Sequence, residues 1–404
     1  MRLSKSFSKT IKDYPKDEQS LSAQLLIRGG YVDKVAAGIY TLLPLGLRVV
    51  NKISNIIREE INALEAQEIL MSGLIPKANL VTTDRYDNFD ALFKLKGRDE
   101  KEYALGATHE EIVSPLAKKF TLSYKDLPFG LYQIQNKFRN EARAKSGVLR
   151  TREFLMKDLY SFHENQEDLD RYYDEVLQSY WKIFERTGIR QKTYLVYASG
   201  GTFSKYSHEF QSETDAGEDE IYVCNACSTG VNKEIVEGDF ECPECKSKEY
   251  QIIKAVEVGN IFKLGTKYSQ PFELNFVDKD SKIKPVLMGC YGIGIQRLMG
   301  TAVELNKDEK GIIWPEGIAP YKYHLISLGE NSKQRADEIY NELVSRGIEV
   351  IFDDRDLSAG EKFADADLLG MPNRLVVSEK TQDKIEIKKR NSDSPELLEL
   401  SQIT

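Results

Sequence analysis

The stretch YQIQNKFRNEARAKSGVLRTREFLMKDLYSF, residues 132 to 162, decides the fold class. Alternation from Tyr132 to Arg139 predicts a strand, the polar ARAKSG a turn, and VLRTREFLMKD a returning strand, so the segment reads as an antiparallel hairpin. Arg139, Arg143, Lys145, Arg150, Arg152 and Lys157 cluster at and near its tip. A solvated face would carry those charges without the bulky Phe138 and Phe154 set among them. Guanidinium forks bind phosphate bidentately, and an aromatic face beside them stacks a base. The hairpin therefore points to a ligand with both phosphates and a base.

Working outward, residues 285–297, PVLMGCYGIGIQR, join an apolar strand to a helix through Gly289, Gly292 and Gly294, with Arg297 at the end. The order G-x-G-x-x-G of a dinucleotide fingerprint is missing, and an arginine stands where its third glycine would be. Toward the N-terminus, Ser20 to Arg28 reads as a helix stopped by Gly29-Gly30. A longer helix follows Pro44, with Leu47, Val50, Ile53, Ile57, Ile61 and Leu64 on one apolar face. EILMSGLIP then reads as a strand. The basic opening MRLSKSFSKTIK is expected to be the first helix, an organelle transit peptide being the alternative.

Residues 321–404 alternate as an independent α/β unit: YKYHLISLG as a strand, NSKQRADEIYNELVSRG as a helix closed by Gly347, then IEVIFDD, RLVVS and KIEIKKR as strands. The expected division is a larger domain over 1–320, containing a cysteine module at 222–250, and a second domain over 321–404. With 404 residues, 41% of them hydrophobic, the chain is long enough for both. The net charge of −8 excludes a surface that is basic throughout but leaves room for a local basic groove. No window approaches a membrane span, and a cytoplasmic setting is expected.

Cys224-x2-Cys227 and Cys242-x2-Cys245, fourteen residues apart, are two metal knuckles. Their thiolates suit a tetrahedral, structural Zn²⁺; the alternative is reduced cysteines without metal, or an occasional disulfide. Cys290 reads as a small buried residue.

Phe138-Arg139-x-Glu141, a loop, then Arg150-x3-Phe154-x3-Asp158 resemble the second signature motif of class II aminoacyl-tRNA synthetases, and the glycine run with Arg297 resembles the third. A closer resemblance, to bacterial prolyl-tRNA synthetases, runs through GIYTLLPLGLRV, ATHEEI, YQIQNKFRNE, LRTREFLMKDLYSFH, SHEFQSETDAGEDEI, VGNIFKLGTKYS, GCYGIGIQR and the C-terminal IEVIFDDRDLSAGEKFADADLLGMPNRLVV. The resemblance implies an α+β fold: an antiparallel-sheet catalytic domain with a small zinc-ribbon-like insert, then an α/β anticodon-binding domain.

It also implies roles. Arg139 would hold the ATP α-phosphate and the substrate carboxylate, Glu141 would read the adenine amino group, and Phe154 would stack on adenine. Arg297 would cover the other face of the base or reach the γ-phosphate, and Arg150 would meet the outer phosphates, with Mg²⁺ on them. Thr108 and Glu110 would recognise the secondary amine of proline. His163 and His208 would line that pocket, or else be hydrogen-bonded core histidines. Arg355 and Lys362 would touch proline tRNA, or else be solvated charges. A homodimer is implied too. The competing readings are a catalytically inactive RNA-binding relative and a synthetase of the same subclass for threonine, glycine or serine.

Three departures stand out. Met71-Ser72-Gly73 occupies a segment where the family usually places a proline, and Ala144 replaces a common proline in the hairpin loop. Between SHEFQSETDAGEDEI and VGNIF, where many bacterial members insert an editing domain that hydrolyses alanyl-tRNA, this chain has only the cysteine module.

Overall fold

The computed structural model describes residues 1–142, 144, 146–200, 206–392 and 394–404, with position 206 described for its backbone alone. Arg143 and Lys145 of the hairpin tip lie outside the described residues.

A nine-stranded sheet organises residues 67–294. Its strands are β1 (Gln67–Glu68), β2 (Phe129–Phe138), β3 (Glu153–His163), β4 (Thr193–Ser199), β5 (Tyr206–Glu213), β6 (Asp219–Cys224), β7 (Gly230–Asn232), β8 (Tyr250–Gly265) and β9 (Leu287–Gly294). They lie in the order β5-β4-β7-β6-β8-β9-β3-β2-β1, with β5 also paired to β8. The ladders are antiparallel except for β4 with β7 and β1 with β2. The hairpin expected at 132–162 is β2 and β3, in register from Phe129↔Phe162 to Phe138↔Glu153.

Helices cover one face. In α1 (Leu21–Arg28) the Ser20 hydroxyl accepts from the Ala23 N–H, and Gly30 leaves the helix at φ 67°. Pro44 opens α2 (Pro44–Asn62), which buries Val49, Val50, Ile53, Ile57 and Ile61, while Leu47 stays exposed and Leu64 lies beyond its end. Asn165 caps α4 (Gln166–Arg186), whose first turn carries Glu167 and Asp168 where acids suit the helix dipole. Together with α5 (Ile295–Leu305) these helices enclose the main apolar core. The opposite face carries α3 (Glu110–Lys118) and a second core around Phe162, Phe262 and Leu274. It is the face on which the site lies.

A separate five-stranded sheet follows: β10 (Tyr323–Leu328), β11 (Val350–Asp353), β12 (Asn373–Ser378), β13 (Ile385–Lys389) and β14 (Glu396–Leu398), ordered β11-β10-β12-β13-β14. The first three are parallel, and α6 (Lys333–Ser345) and α7 (Ala359–Leu369) accompany them.

Two expectations fail locally. The N-terminus is not a helix beyond one 3-10 turn at Leu3–Lys5; instead Arg2 pairs as a bridge with Phe352 and forms an ion pair with Asp337, so the segment is drawn out along the C-terminal sheet. EILMSGLIP is not one strand: β1 stops at Glu68, and pairing resumes only at Leu74–Pro76 against Glu102–Leu105. The Gln133 and Gln135 side chains bond the Met71 backbone there and take the place of ladder partners.

Candidate active site

The β2–β3 register fixes the floor of the site. Side chains alternate across a strand, so Phe154, Asp158 and Tyr160 share one face of β3, while Lys157, Ser161 and His163 face α4. Just past the end of β2, the Arg139 N–H donates to Arg152 O at 2.8 Å, and its guanidinium lies 5.2 Å over the Phe154 ring. Among the described residues no hydrogen bond or ion pair reaches that guanidinium, and its Nε is sealed from solvent. Burial and the neighbouring Arg297 push the Arg139 pKa down. An unpartnered buried cation is costly, and the cost is relieved when an anion arrives.

The groups for such an anion surround it. Arg297, on the first turn of α5, donates to Leu149 O and to the Glu257 carboxylate at 2.8 and 3.2 Å. Arg150 grips Glu141 Oε2 through Nε and Nη2 at 3.1 and 2.8 Å and also pairs with Glu218. These side chains line an open cavity of about 210 Å³. At its edge Gln211 donates to Glu209 at 2.8 Å and to Asp219 at 2.9 Å. Burial, reinforced by Glu257, raises Glu209 to about 8, and burial raises Asp219 as well.

A second cluster lies farther along the same face. Asp158 is four positions from Phe154, on the order of 13 Å along the strand. The Thr108 hydroxyl donates to Glu110 at 2.6 Å, Arg85 pairs with Glu110 and Glu111 at 3.2 and 3.1 Å, and the Cys290 thiol donates to Glu110 at 3.3 Å. Tyr160 accepts from the His109 N–H and donates to Asp158, both at 3.0 Å, while Lys137 lies 2.7 Å from Asp158. Burial first, then Lys137, takes His109 down to about 4, so its ring is neutral at pH 7. Between the clusters Gly292 keeps the floor low: a Cβ there would stand 2.9 Å from Asn260 Oδ1. A base stacked on Phe154, phosphates at the arginines and a small cationic group at Glu110 can thus sit on one strand face.

Residues 93–306 match the tRNA synthetase class II core domain (G, H, P, S and T), and residues 322–404 match an anticodon binding domain. Across its whole length the chain is 33% identical to the Proline--tRNA ligase of Dehalococcoides mccartyi (strain ATCC BAA-2266 / KCTC 15142 / 195), of which it covers 98%. The chain belongs to the prolyl-tRNA synthetase family. A second relative, from Thermosipho melanesiensis, is 32% identical over 96% of each protein. The first alignment is 556 positions long, far more than the 404 residues here, so that prolyl-tRNA synthetase carries residues with no counterpart in this chain. Solved prolyl-tRNA synthetases share the fold. One from Giardia lamblia, in complex with prolyl-adenylate, has a TM-score of 0.78 at 21% identity over 94% of this chain and 74% of that one. One from Cryptosporidium parvum, with L-proline and AMP, has a TM-score of 0.76 at 18% identity over 95% and 72%.

Against this prolyl-tRNA synthetase frame, the structure brings Arg139, Glu141, Arg150, Phe154 and Arg297 together, and Thr108 with Glu110. It does not bring in the histidines. His163 faces α4, bonded to Asp168 at 2.6 Å and packed on Tyr172. His208 bonds Tyr173 of the same helix at 2.8 Å. Both stand on the side of the sheet opposite Asp158 and Tyr160, and burial lowers both pKa values, as befits core histidines. Both RNA candidates are engaged within the protein. Lys362 is buried, its Nζ donating to Ser327 O at 2.9 Å and Asp353 O at 3.4 Å, and Arg355 is held by Asp353 and Asp365 at 2.7 and 2.8 Å. Cys290 is buried as expected, yet it faces the site. Asp158, Tyr160, His109 and Lys137 were missed as pocket residues; the period-2 parity of β3 carried the signal for two of them.

The four cysteines of this synthetase do converge. Their Sγ atoms lie within 4.8 Å of one another, with Cys224–Cys245 and Cys227–Cys242 each at 3.5 Å. Tetrahedral Zn–S bonds of about 2.3 Å require S–S separations of about 3.8 Å, so the donor set fits Zn²⁺.

Proposed function

We infer that this chain activates L-proline with ATP and transfers the prolyl group to the 3′ end of proline tRNA. The observation that carries the reading is Arg139, unpartnered over Phe154, on the strand face that also presents the Thr108–Glu110 cluster. The Glu110 side chain receives the cationic ring nitrogen of proline, and Arg139 holds the proline carboxylate against the α-phosphate. A carboxylate oxygen attacks that phosphorus as the bond to pyrophosphate breaks, giving prolyl-adenylate. No side chain need act as a base, because the nucleophile is already ionised. Catalysis is positioning together with charge neutralisation by Arg139, Arg150 and Arg297. Glu141, released from Arg150, reads the adenine amino group.

Mg²⁺ accompanies the ATP phosphates, where it neutralises charge. Glu209, Asp219 and Glu257 would hold it, and its charge would offset the repulsion from Glu257 that adds to burial in raising Glu209. Zn²⁺ at the four cysteines is structural, all its positions being filled by protein ligands. Free thiols suit a cytoplasmic setting. Exposed Leu70 and Leu74, flanking Met71-Ser72-Gly73, favour pairing of two copies there as a homodimer.

Amino-acid-dependent exchange of pyrophosphate into ATP, run with proline, alanine, threonine, glycine and serine, tests the reading. Proline is expected to give the strongest exchange. Preference for threonine, glycine or serine would move the chain within its subclass, and exchange with none would leave an RNA-binding relative.

A further inference from the structure

The cysteine module is woven into the catalytic sheet. β7, only three residues long, emerges between the two knuckles and inserts between β4 and β6. It runs parallel to β4, with Val231↔Tyr197, and antiparallel to β6, with Tyr222↔Val231. Since β6 pairs with β8, β8 with β5 and β5 with β4, the five strands form a closed ring. Val196, Ile221, Val223 and Ala255 make a small buried core of their own. A Cβ on Gly230 would lie 2.6 Å from Val196 Cγ2, so the closing strand has no slack.

What holds β7 in place is thin without a metal. The buried core of the module is Cys224, Val231, Phe240 and Cys242, so half of it is metal ligands. Two further ties run to β4 and its end: Glu244, between the second pair of cysteines, accepts from Tyr197, and Glu234 accepts from the Ser199 N–H at 3.0 Å. So small a core needs the ligated metal to fold. The same ring carries Asp219 on β6 and Glu257 on β8, which line the nucleotide cavity, and Glu209 on β5, which Gln211 ties to Asp219. Strands β5 and β6 each pair with β8 and not with each other, and Gln211 links them by bonding both Glu209 and Asp219. The curl of these two strands about β8, and with it the aim of their carboxylates, therefore depends on ring closure. The module's open side is lined by Glu237, Asp239 and Glu241, the wrong sign for RNA phosphates.

We propose that Zn²⁺ bound by Cys224, Cys227, Cys242 and Cys245 acts as a clasp on this ring and so sets the positions of Glu209, Asp219 and Glu257, making ATP binding depend on the metal. The cysteines and β7 are positioning elements that touch no substrate. The clasp rests on the nucleotide site described above and not on which amino acid is activated.

The test measures metal content, calorimetric ATP affinity in the presence of Mg²⁺ and without amino acid, and affinity for proline tRNA. Full-length wild type, chelator-stripped wild type, Cys227→Ser/Cys245→Ser and Gly230→Val are compared. One equivalent of zinc is expected in wild type. Stripping should weaken ATP binding at least about tenfold while tRNA affinity stays within about twofold, and added Zn²⁺ should restore it. Gly230→Val should weaken ATP binding with zinc still bound, because it crowds the closing strand without touching a thiol. Wild type without metal, or stripped protein with unchanged ATP affinity, would overturn the clasp. So would equal losses of ATP and tRNA binding, since the metal would then hold the whole fold. Wild type that binds ATP in a zinc-dependent way but exchanges no pyrophosphate with proline would leave the clasp standing and remove the proposed activity instead.

Discussion

Arg139 separates stability from function more sharply than any other residue of the site. Its guanidinium, without a hydrogen-bond or ion-pair partner among the described residues and set over Phe154, serves nothing that stability requires. Arg139→Ala should therefore leave stability within about 1 kcal/mol of wild type, while proline-dependent exchange falls by about 10²- to 10³-fold, the loss seen when a preorganised donor is removed. Urea unfolding beside exchange kinetics checks both halves, and a large stability loss would mean that the side chain is a core element. Glu209 makes a prediction in pH. Its pKa is raised from 4.5 to about 8 by burial and then Glu257, so the folded protein keeps a proton that the unfolded chain releases. Stability from this group is thus fully present below about 4.5 and is lost as pH rises toward about 8. Glu209→Gln should flatten the fall in thermal midpoint between pH 5 and 8 in metal-free, ATP-free buffer; an unchanged slope would refute the assignment.

Among elements, the hairpin was legible because two properties coincide in it: strict alternation, and cations interleaved with Phe138 and Phe154 that solvent exposure does not account for. The histidines were misplaced for want of a count. Phe154, Asp158 and Tyr160 are even-numbered and His163 is odd, so parity alone puts His163 on the helix side. Helix α7 also had its signal, a capping box at Ser358 and Glu361, while Lys362 read as a surface charge only because that helix was not recognised. Three-residue β7 left no periodic trace, and the closed ring rests on pairings distant in sequence and on cysteine geometry, which composition does not encode. The burial of Lys362 on the inner side of α7 gives a prediction of its own. Lys362→Ala strands two carbonyls, Ser327 O and Asp353 O, and should cost about 1–3 kcal/mol of stability. Its folded fraction should bind proline tRNA with unchanged affinity. A weakened complex at full folding, measured by filter binding below the melting range, would restore Lys362 as an RNA contact.

For the molecule as a whole, the consequence of its length is accuracy. In the proposed reading, the amino-acid pocket meets the ring nitrogen with Glu110, which accepts from Thr108, and is lined by packed side chains such as Tyr160 and Cys290. Alanine keeps the carboxylate and a cationic nitrogen and is smaller than proline, so it meets no steric barrier. Exclusion then rests on lost contacts, about 1–3 kcal/mol for each missing methylene. Relatives such as the Dehalococcoides protein align over 556 positions where this chain has 404 residues, and the segment in which the family resemblance places an editing domain is here the cysteine module that closes the ring. Its lining carries Glu237, Asp239 and Glu241, whose charge opposes the phosphates of a tRNA 3′ end. Alanyl-tRNA for proline should therefore be formed at a rate set by pocket discrimination alone and should survive incubation with the enzyme. A deacylation time course would decide it: persistence of the alanyl ester at its spontaneous hydrolysis rate is expected, and that rate should be the same for zinc-loaded and zinc-stripped protein. Enzyme-dependent hydrolysis would mean that the short chain has built a second hydrolytic site within the fold described above.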